Sequence, residues 1–383
     1  MRSAAASALS VEAVEPRIED VAVPALTAAR RADLTPGLER VEESDTPLVA
    51  HVMRTGLPQF SMAGVTWDQG ERVGDVTAQI RVFEDTGWSE WTLLPAPDDE
   101  GPSITEEPDA RAGTFPAWVG NATGIEVAVF TGNGTVPRNV EVSAIDPGTS
   151  PYDGLMLSAP SAAQEQAEAQ KSGPLAGTFP GLPRVITREE WGADESLGDK
   201  CWSPRLGTTF KAIFVHHTAG SNDYSEYESP ALVRGIYAYH VVSRGWCDIG
   251  YNFLVDRYGN VFEGRSGGIR LPVRGAHSGD YNLNSTGISA MGNFDRIRPL
   301  ATAEARAGGL DLLASRNGIP RCVRAYLRRR RQVRAHLWAP RRHVHLLSWP
   351  LHLRLAADTA RPGQDPARRL CLADRGTLAP RWW

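Results

Sequence analysis

The chain has 383 residues, 42% of them hydrophobic and 22% charged, with a net charge of −4. That length suits two or three domains with real cores. No run of about 18 apolar residues exists, so no membrane span is expected, and the charge argues against a dedicated nucleic-acid binder. The charge is divided unevenly. From Arg321 to Trp383 there are 15 Arg, no Lys and 3 acids, a local charge of +12, which leaves −16 on residues 1–320.

In chain order, residues 1–44 are rich in Ala, Glu, Pro and Val without clear periodicity, and are expected to be a loose segment. Met1–Ser10 has a basic residue and small residues but no apolar run long enough for a signal h-region, so either there is no signal or the start lies inside one. Residues 45–147 look like a β-rich, sandwich-like module. Phe60–Trp67, Val76–Phe83, Trp88–Leu94, Ile125–Phe130 and Val140–Ile145 are short strand patterns between turns. No His or Cys cluster falls in this module, which shows no visible chemistry. Residues 148–184 are Pro-rich and polar, a linker.

Residues 185–320 have a mixed α/β pattern. Ala212–Val215 is a strand running into His216-His217-Thr218. Pro230–Ser243 reads as a helix with Leu232, Ile236, Tyr237 and His240 on one face. Tyr251–Val255, Asn260–Glu263 and Thr286–Met291 are strands, and Ala301–Ser315 fits a helix. The alternation points to an α/β layer fold. The four cysteines, Cys201, Cys247, Cys322 and Cys371, form no CxxC pair. A Cys201–Cys247 bridge would suit an exported protein, and two buried thiols are the alternative. Nothing in the sequence signals an oligomeric state.

Three blocks could carry chemistry: Phe214-Val215-His216-His217-Thr218-Ala219-Gly220; Gly245–Val255 with Val261-Phe262-Glu263-Gly264-Arg265; and Arg274-Gly275-Ala276-His277-Ser278-Gly279-Asp280-Tyr281-Asn282 with Gly292-Asn293-Phe294. Adjacent histidines on a strand face opposite sides, so one of the pair can serve a given site, and an imidazole at a strand end suits zinc. Gly264-Arg265-Ser266-Gly267-Gly268 spells a hydrolase elbow, but Pro272 follows where a helix is needed, so it reads as a glycine-rich loop.

In this order and spacing, the blocks resemble the peptidoglycan recognition protein family and the zinc-dependent N-acetylmuramoyl-L-alanine amidases. Ile186–Ala193 is similar to the family's entry segment. The resemblance runs from about Pro183 to about Pro320. The β-rich first module resembles one that precedes this domain in exported actinobacterial members. The resemblance implies a mixed-sheet amidase domain with flanking helices, a secreted or wall-associated protein, and peptidoglycan as partner. It implies hydrolysis of the amide between N-acetylmuramic acid and L-alanine, with Zn2+ activating water. It assigns His216 as a zinc ligand and leaves His217 on the packed side. Tyr251 matches the catalytic tyrosine beside the metal, and Thr218, His277 and Asn282 match positions lining the substrate groove. A structural histidine is the alternative for His277, and a groove-wall aromatic for Tyr251.

The departure lies in the tail. The family draws its other two zinc ligands from a C-terminal block with His in Gly-His-Arg-Asp and Cys in Cys-Pro-Gly. Here Leu353 and Arg361 stand at those positions, and neither binds zinc. Three expectations stay open: an amidase, a wall-binding protein that keeps the groove without the metal, or the product of a damaged gene. The Arg-rich tail is what GC-rich DNA gives out of frame; a tail that binds anionic polymers is the alternative.

Overall fold

The computed structural model describes residues 12–27, 46–70, 75–97, 100–156, 184–198 and 204–294. The expected helix at 301–315, Cys201, Cys322, Cys371, the Arg-rich tail and most of the linker lie outside the described residues. Among the described residues, no helix is long and apolar enough to cross a membrane.

The first unit is an eight-stranded antiparallel sheet. Its main path runs β1 (Arg17–Ala22), β8 (Glu141–Asp146), β2 (Leu48–Trp67), β7 (Ala117–Thr131), β3 (Val76–Glu84) and β4 (Gly87–Trp88). β5 (Thr92–Pro95) pairs with β3, and β6 (Ala112–Gly113) with β2. The loose segment expected over residues 1–44 is corrected at Arg17–Ala22, which pairs residue for residue with β8. Only Val21 of that strand is buried. It is an edge strand held by ladder hydrogen bonds, so it leaves no hydrophobic period to read.

β2 is longer than its expected Phe60–Trp67 half. Its register against β7 shifts between Thr55 and Phe60, and its second half pairs with β8 on the other side as well. Central β7 carries Glu126, fully buried. His51 Nε2 lies 2.9 Å and Arg81 Nε 2.6 Å from its carboxylate oxygens. Burial raises its pKa, but the bonds to His51 and Arg81 outweigh this and hold it below the ordinary carboxylate value.

The second unit is α/β. Its five-stranded mixed sheet has the order β10 (Ala212–His217), β13 (Ser285–Ala290), β11 (Phe253–Val255), β12 (Val261–Glu263) and β9 (Val185–Ile186). Only β11 and β12 are antiparallel neighbours, joined by the expected turn at Gly259. Helix α1 (Asp153–Met156) is a single turn, and α2 (Ser229–Ala238) continues into a π-helical turn, Tyr239–Ser243. Pro230 sits in the first turn of α2, where its missing N–H costs nothing.

The sequence pattern gave this helix one apolar face; all ten residues of α2 are buried. The reason is that a single hydrophobic cluster joins Met62, Trp118 and Ile145 of the first unit to Leu232, Ile236 and Tyr239. A Cβ on Gly235 would stand 2.9 Å from Cε of Met62, so the helix axis approaches the first sheet closely because that side chain is absent. The Tyr239 hydroxyl lies within hydrogen-bond reach of the carbonyls of Val65 and Thr114, at 3.1 and 2.8 Å.

Arg234 fixes the start of the linker to this helix. Its guanidinium donates to Pro147 O, Gly148 O and Trp191 O and pairs with both carboxylate oxygens of Asp153. Its side chain is 2% exposed and that of Asp153 12%. Replacing Arg234 with Ala strands a nearly buried carboxylate and three carbonyls. The expected loss is about 3–5 kcal/mol, with Arg234→Lys intermediate because an ammonium cannot reproduce the fork. Urea denaturation of both variants measures this.

Candidate functional site

The site gathers the last residues of β10, the residues leading into β11 and the loop before β13. β10 delivers His216 and His217 to opposite sides. His216 faces Tyr251 and His277, with ring centroids 5.6 and 5.1 Å away. His217 faces Phe115 and Phe294, and its Nδ1 accepts the Phe294 N–H at 3.0 Å. Tyr251 lies just before β11. His277 lies in the loop before β13 with its Nδ1 3.1 Å from Nε2 of His216. The His277 ring rests on the backbone of Gly287 in β13, where a Cβ would come within 2.4 Å of it.

Asn282 organises that loop. Its Oδ1 accepts the N–H groups of His277 and Ser278 at 2.7 and 2.9 Å. Thr218 ties the end of β10 to the following turn, its Oγ1 accepting the Gly292 N–H at 2.9 Å. The expected site residues His216, Tyr251, His277 and Asn282 thus form one contiguous cluster, with Thr218 beside it on the strand end.

One residue of the cluster went unnoticed in the sequence. Glu100, from the module expected to carry no chemistry, sets Oε1 2.9 Å from Nδ1 of His216 and accepts the Tyr251 hydroxyl at 2.9 Å. That corrects the expectation: the β-rich module contributes a carboxylate to the site. The one sequence signal was an acidic stretch, Asp98-Asp99-Glu100 and Glu106-Glu107, in an otherwise apolar and turn-rich region.

Electrostatically the cluster favours neutral side chains. Burial, then the negative charge of Glu100, pushes the Tyr251 phenol well above its ordinary value. Burial, then His216 and Arg265, pushes His277 well below the ordinary histidine value. Nearby His240 is lowered in the same way by burial, then Arg244 and Arg265. Its contacts suit the neutral form: its ring stacks on Trp246 at 4.3 Å and Nδ1 accepts the Gly250 N–H at 3.2 Å.

The donors on hand do not fit a catalytic zinc ion, which takes three protein ligands and keeps a fourth position open. Both nitrogens of His216 face protein side chains, Glu100 and His277. Among the described residues, no group of three or more His, Cys, Asp or Glu side chains is placed to hold a metal. Leu353 and Arg361 lie outside the described residues; leucine has no lone pair to donate, and a guanidinium is always protonated. Cys247 is disulfide-bonded, and its partner also lies outside the described residues.

Similarity to known proteins covers both units. A family model described as N-acetylmuramoyl-L-alanine amidase matches residues 206–352. One described as Rv3811 N-terminal galactose-binding domain-like matches residues 17–169. The chain is 40% identical over 117 residues to peptidoglycan-recognition protein SC1a/b of Drosophila simulans, covering 30% of this chain and 59% of that protein. It is 41% identical over 120 residues to peptidoglycan recognition protein 1 of Bos taurus, covering 31% and 59%. The chain therefore spans less than two thirds of the curated relatives it matches. Against the solved structure of bumblebee PGRP-SA, identity is 31% over 37% of this chain and 79% of that one, with a TM-score of 0.31.

The buried histidines set an acid limit on the fold. Both His240 and His277 have folded pKa values below the unfolded 6.5. Between those values the unfolded chain binds more protons, so stability falls as pH drops below about 6.5, by up to about 1.4 kcal/mol per pH unit for each histidine. Urea unfolding at pH 7.5, 6.0 and 5.0 should show that decline, with a shallower slope in His240→Gln.

Proposed function

Because its second domain belongs to the peptidoglycan recognition protein and N-acetylmuramoyl-L-alanine amidase family, we propose that the chain binds peptidoglycan around Tyr251, His277 and Asn282. It recognises the junction between N-acetylmuramic acid and L-alanine there, and with the residues it holds it does not cleave that amide. The observation that carries this is the donor set at His216, whose two nitrogens face Glu100 and His277. Leucine and arginine at positions 353 and 361, where the family places its other zinc ligands, agree with it. An exported, wall-facing location goes with this function, and the disulfide at Cys247 belongs to that chemistry.

Hydrolysis of the same amide is the second reading, and one observation favours it. Tyr251 keeps its place beside His216, with ring centroids 5.6 Å apart. Its neutral phenol could donate to a carbonyl oxygen as negative charge develops there.

Sedimentation with purified sacculi, zinc analysis and an assay for L-alanine-ended stem peptides separate the two readings. The expected outcome is co-sedimentation, substoichiometric zinc and no released peptide. Stoichiometric zinc with turnover, reduced about a hundredfold by Tyr251→Phe, would establish the hydrolase instead. Failure to sediment with sacculi would remove both.

A further inference from the structure

Residues 100–113 belong to the first unit in sequence, yet they lie against the candidate groove of the second. Glu100 touches His216 and Tyr251. Gly101 O accepts the Asn282 side-chain amide at 3.0 Å and the Gly279 N–H at 3.2 Å. Glu106 pairs with Arg274 at 3.2 Å, and Glu107 pairs with Arg265 at 3.3 Å while accepting the Cys247 N–H at 2.9 Å. Asn282 and Tyr251, which the segment touches directly, are shut away from solvent: Asn282 is fully buried and Tyr251 is 3% exposed, and His277 beside them is fully buried too. A ligand cannot reach them with the segment in place.

Charge and hydrogen bonding, more than apolar burial, hold the segment. Ile104 is 56% exposed, and Ala110 is its one residue in the small cluster with Trp246 and Ala276. Such polar contacts trade against water and contribute little net free energy each. The match is also incomplete. Arg265 Nη1, Arg274 Nε and His277 Nε2 are buried with no hydrogen-bond partner among the described residues, which costs the docked state free energy that a better acceptor would recover. The separate joint through α2 and Tyr239 needs none of these contacts, and Arg111, bonded to Arg244, Thr66 and Asp68, marks where the segment stays attached to it. The segment can therefore leave while the two units stay together.

We propose that Glu100–Ala110 is an internal occupant of the groove, which a peptidoglycan fragment must displace in order to bind. Its carboxylates stand in for acceptor groups of the incoming peptide, so the competing ligand is a carboxylate-bearing muramyl peptide. This rests on the peptidoglycan reading above. While the segment is docked, apparent affinity is reduced by the fraction of open molecules.

The test uses the full chain, with a soluble muramyl tripeptide as probe, in calorimetric titration and hydrogen exchange. Two kinds of variant weaken docking independently. One is the double change Glu106→Gln with Glu107→Gln. The other is Gly101→Ala, since Gly101 has φ +126° and a Cβ there would stand 2.9 Å from the Trp246 ring. Both should bind the probe about tenfold more tightly, equivalent to about 1.4 kcal/mol. In the unaltered chain, saturating probe should speed exchange of residues 103–110. Unchanged or weaker binding by both variants, or unchanged exchange at saturation, overturns the proposal. If a variant fails to fold, exchange in the unaltered chain decides alone. If all forms bind alike, only the internal occupant falls. If none binds, it falls together with the peptidoglycan reading.

Discussion

A helix buried on every side has to be shared, and that constraint organises this molecule. α2 and the turn that follows it are apolar around most of their circumference, so a single sheet cannot cover them. The mixed sheet takes one side. The antiparallel unit takes the other through Met62, Ile145 and the backbone around Val65 and Thr114, which the Tyr239 hydroxyl reaches. Glycines at 64, 113 and 235 let these surfaces approach. Once the units share a helix, their loops meet in one fixed arrangement. That is why a carboxylate from the first unit can stand beside a histidine of the second.

The site's chemistry follows from this enclosure. Removing water from around His277, His240 and Tyr251 favours their neutral forms. The charges that remain are paired across the joint, Glu106 with Arg274 and Glu107 with Arg265. The result is a cluster of neutral hydrogen-bonding groups around the Glu100 carboxylate, ringed by ion pairs. The buried donors left without partners mark where a polar ligand would gain most.

Much of this could be read from the chain alone. Val76–Phe83 and Ala212–Val215 carry clear strand patterns and form β3 and the start of β10. The blocks around His216, Tyr251, His277 and Asn282 each contain their own turn and strand signals, and in the fold they lie together. Arg17–Ala22 escaped notice because an edge strand needs only its ladder, not an apolar face. Glu100 escaped for a different reason: it lies 116 residues from His216. Its role depends on how two units dock, and no local periodicity encodes docking. The full burial of α2 was missed for the same reason, since the pattern marked one apolar face and the second partner was out of view.

The Arg234 guanidinium has a topological consequence. It binds Pro147 and Gly148 at the start of the linker and Trp191 a few residues beyond its end. The two ends of the linker are therefore held at one place. The linker's length is close to neutral for the fold, because lengthening a closed loop costs free energy only logarithmically. Closure is already supplied by this one side chain, whatever length of chain runs between the two ends.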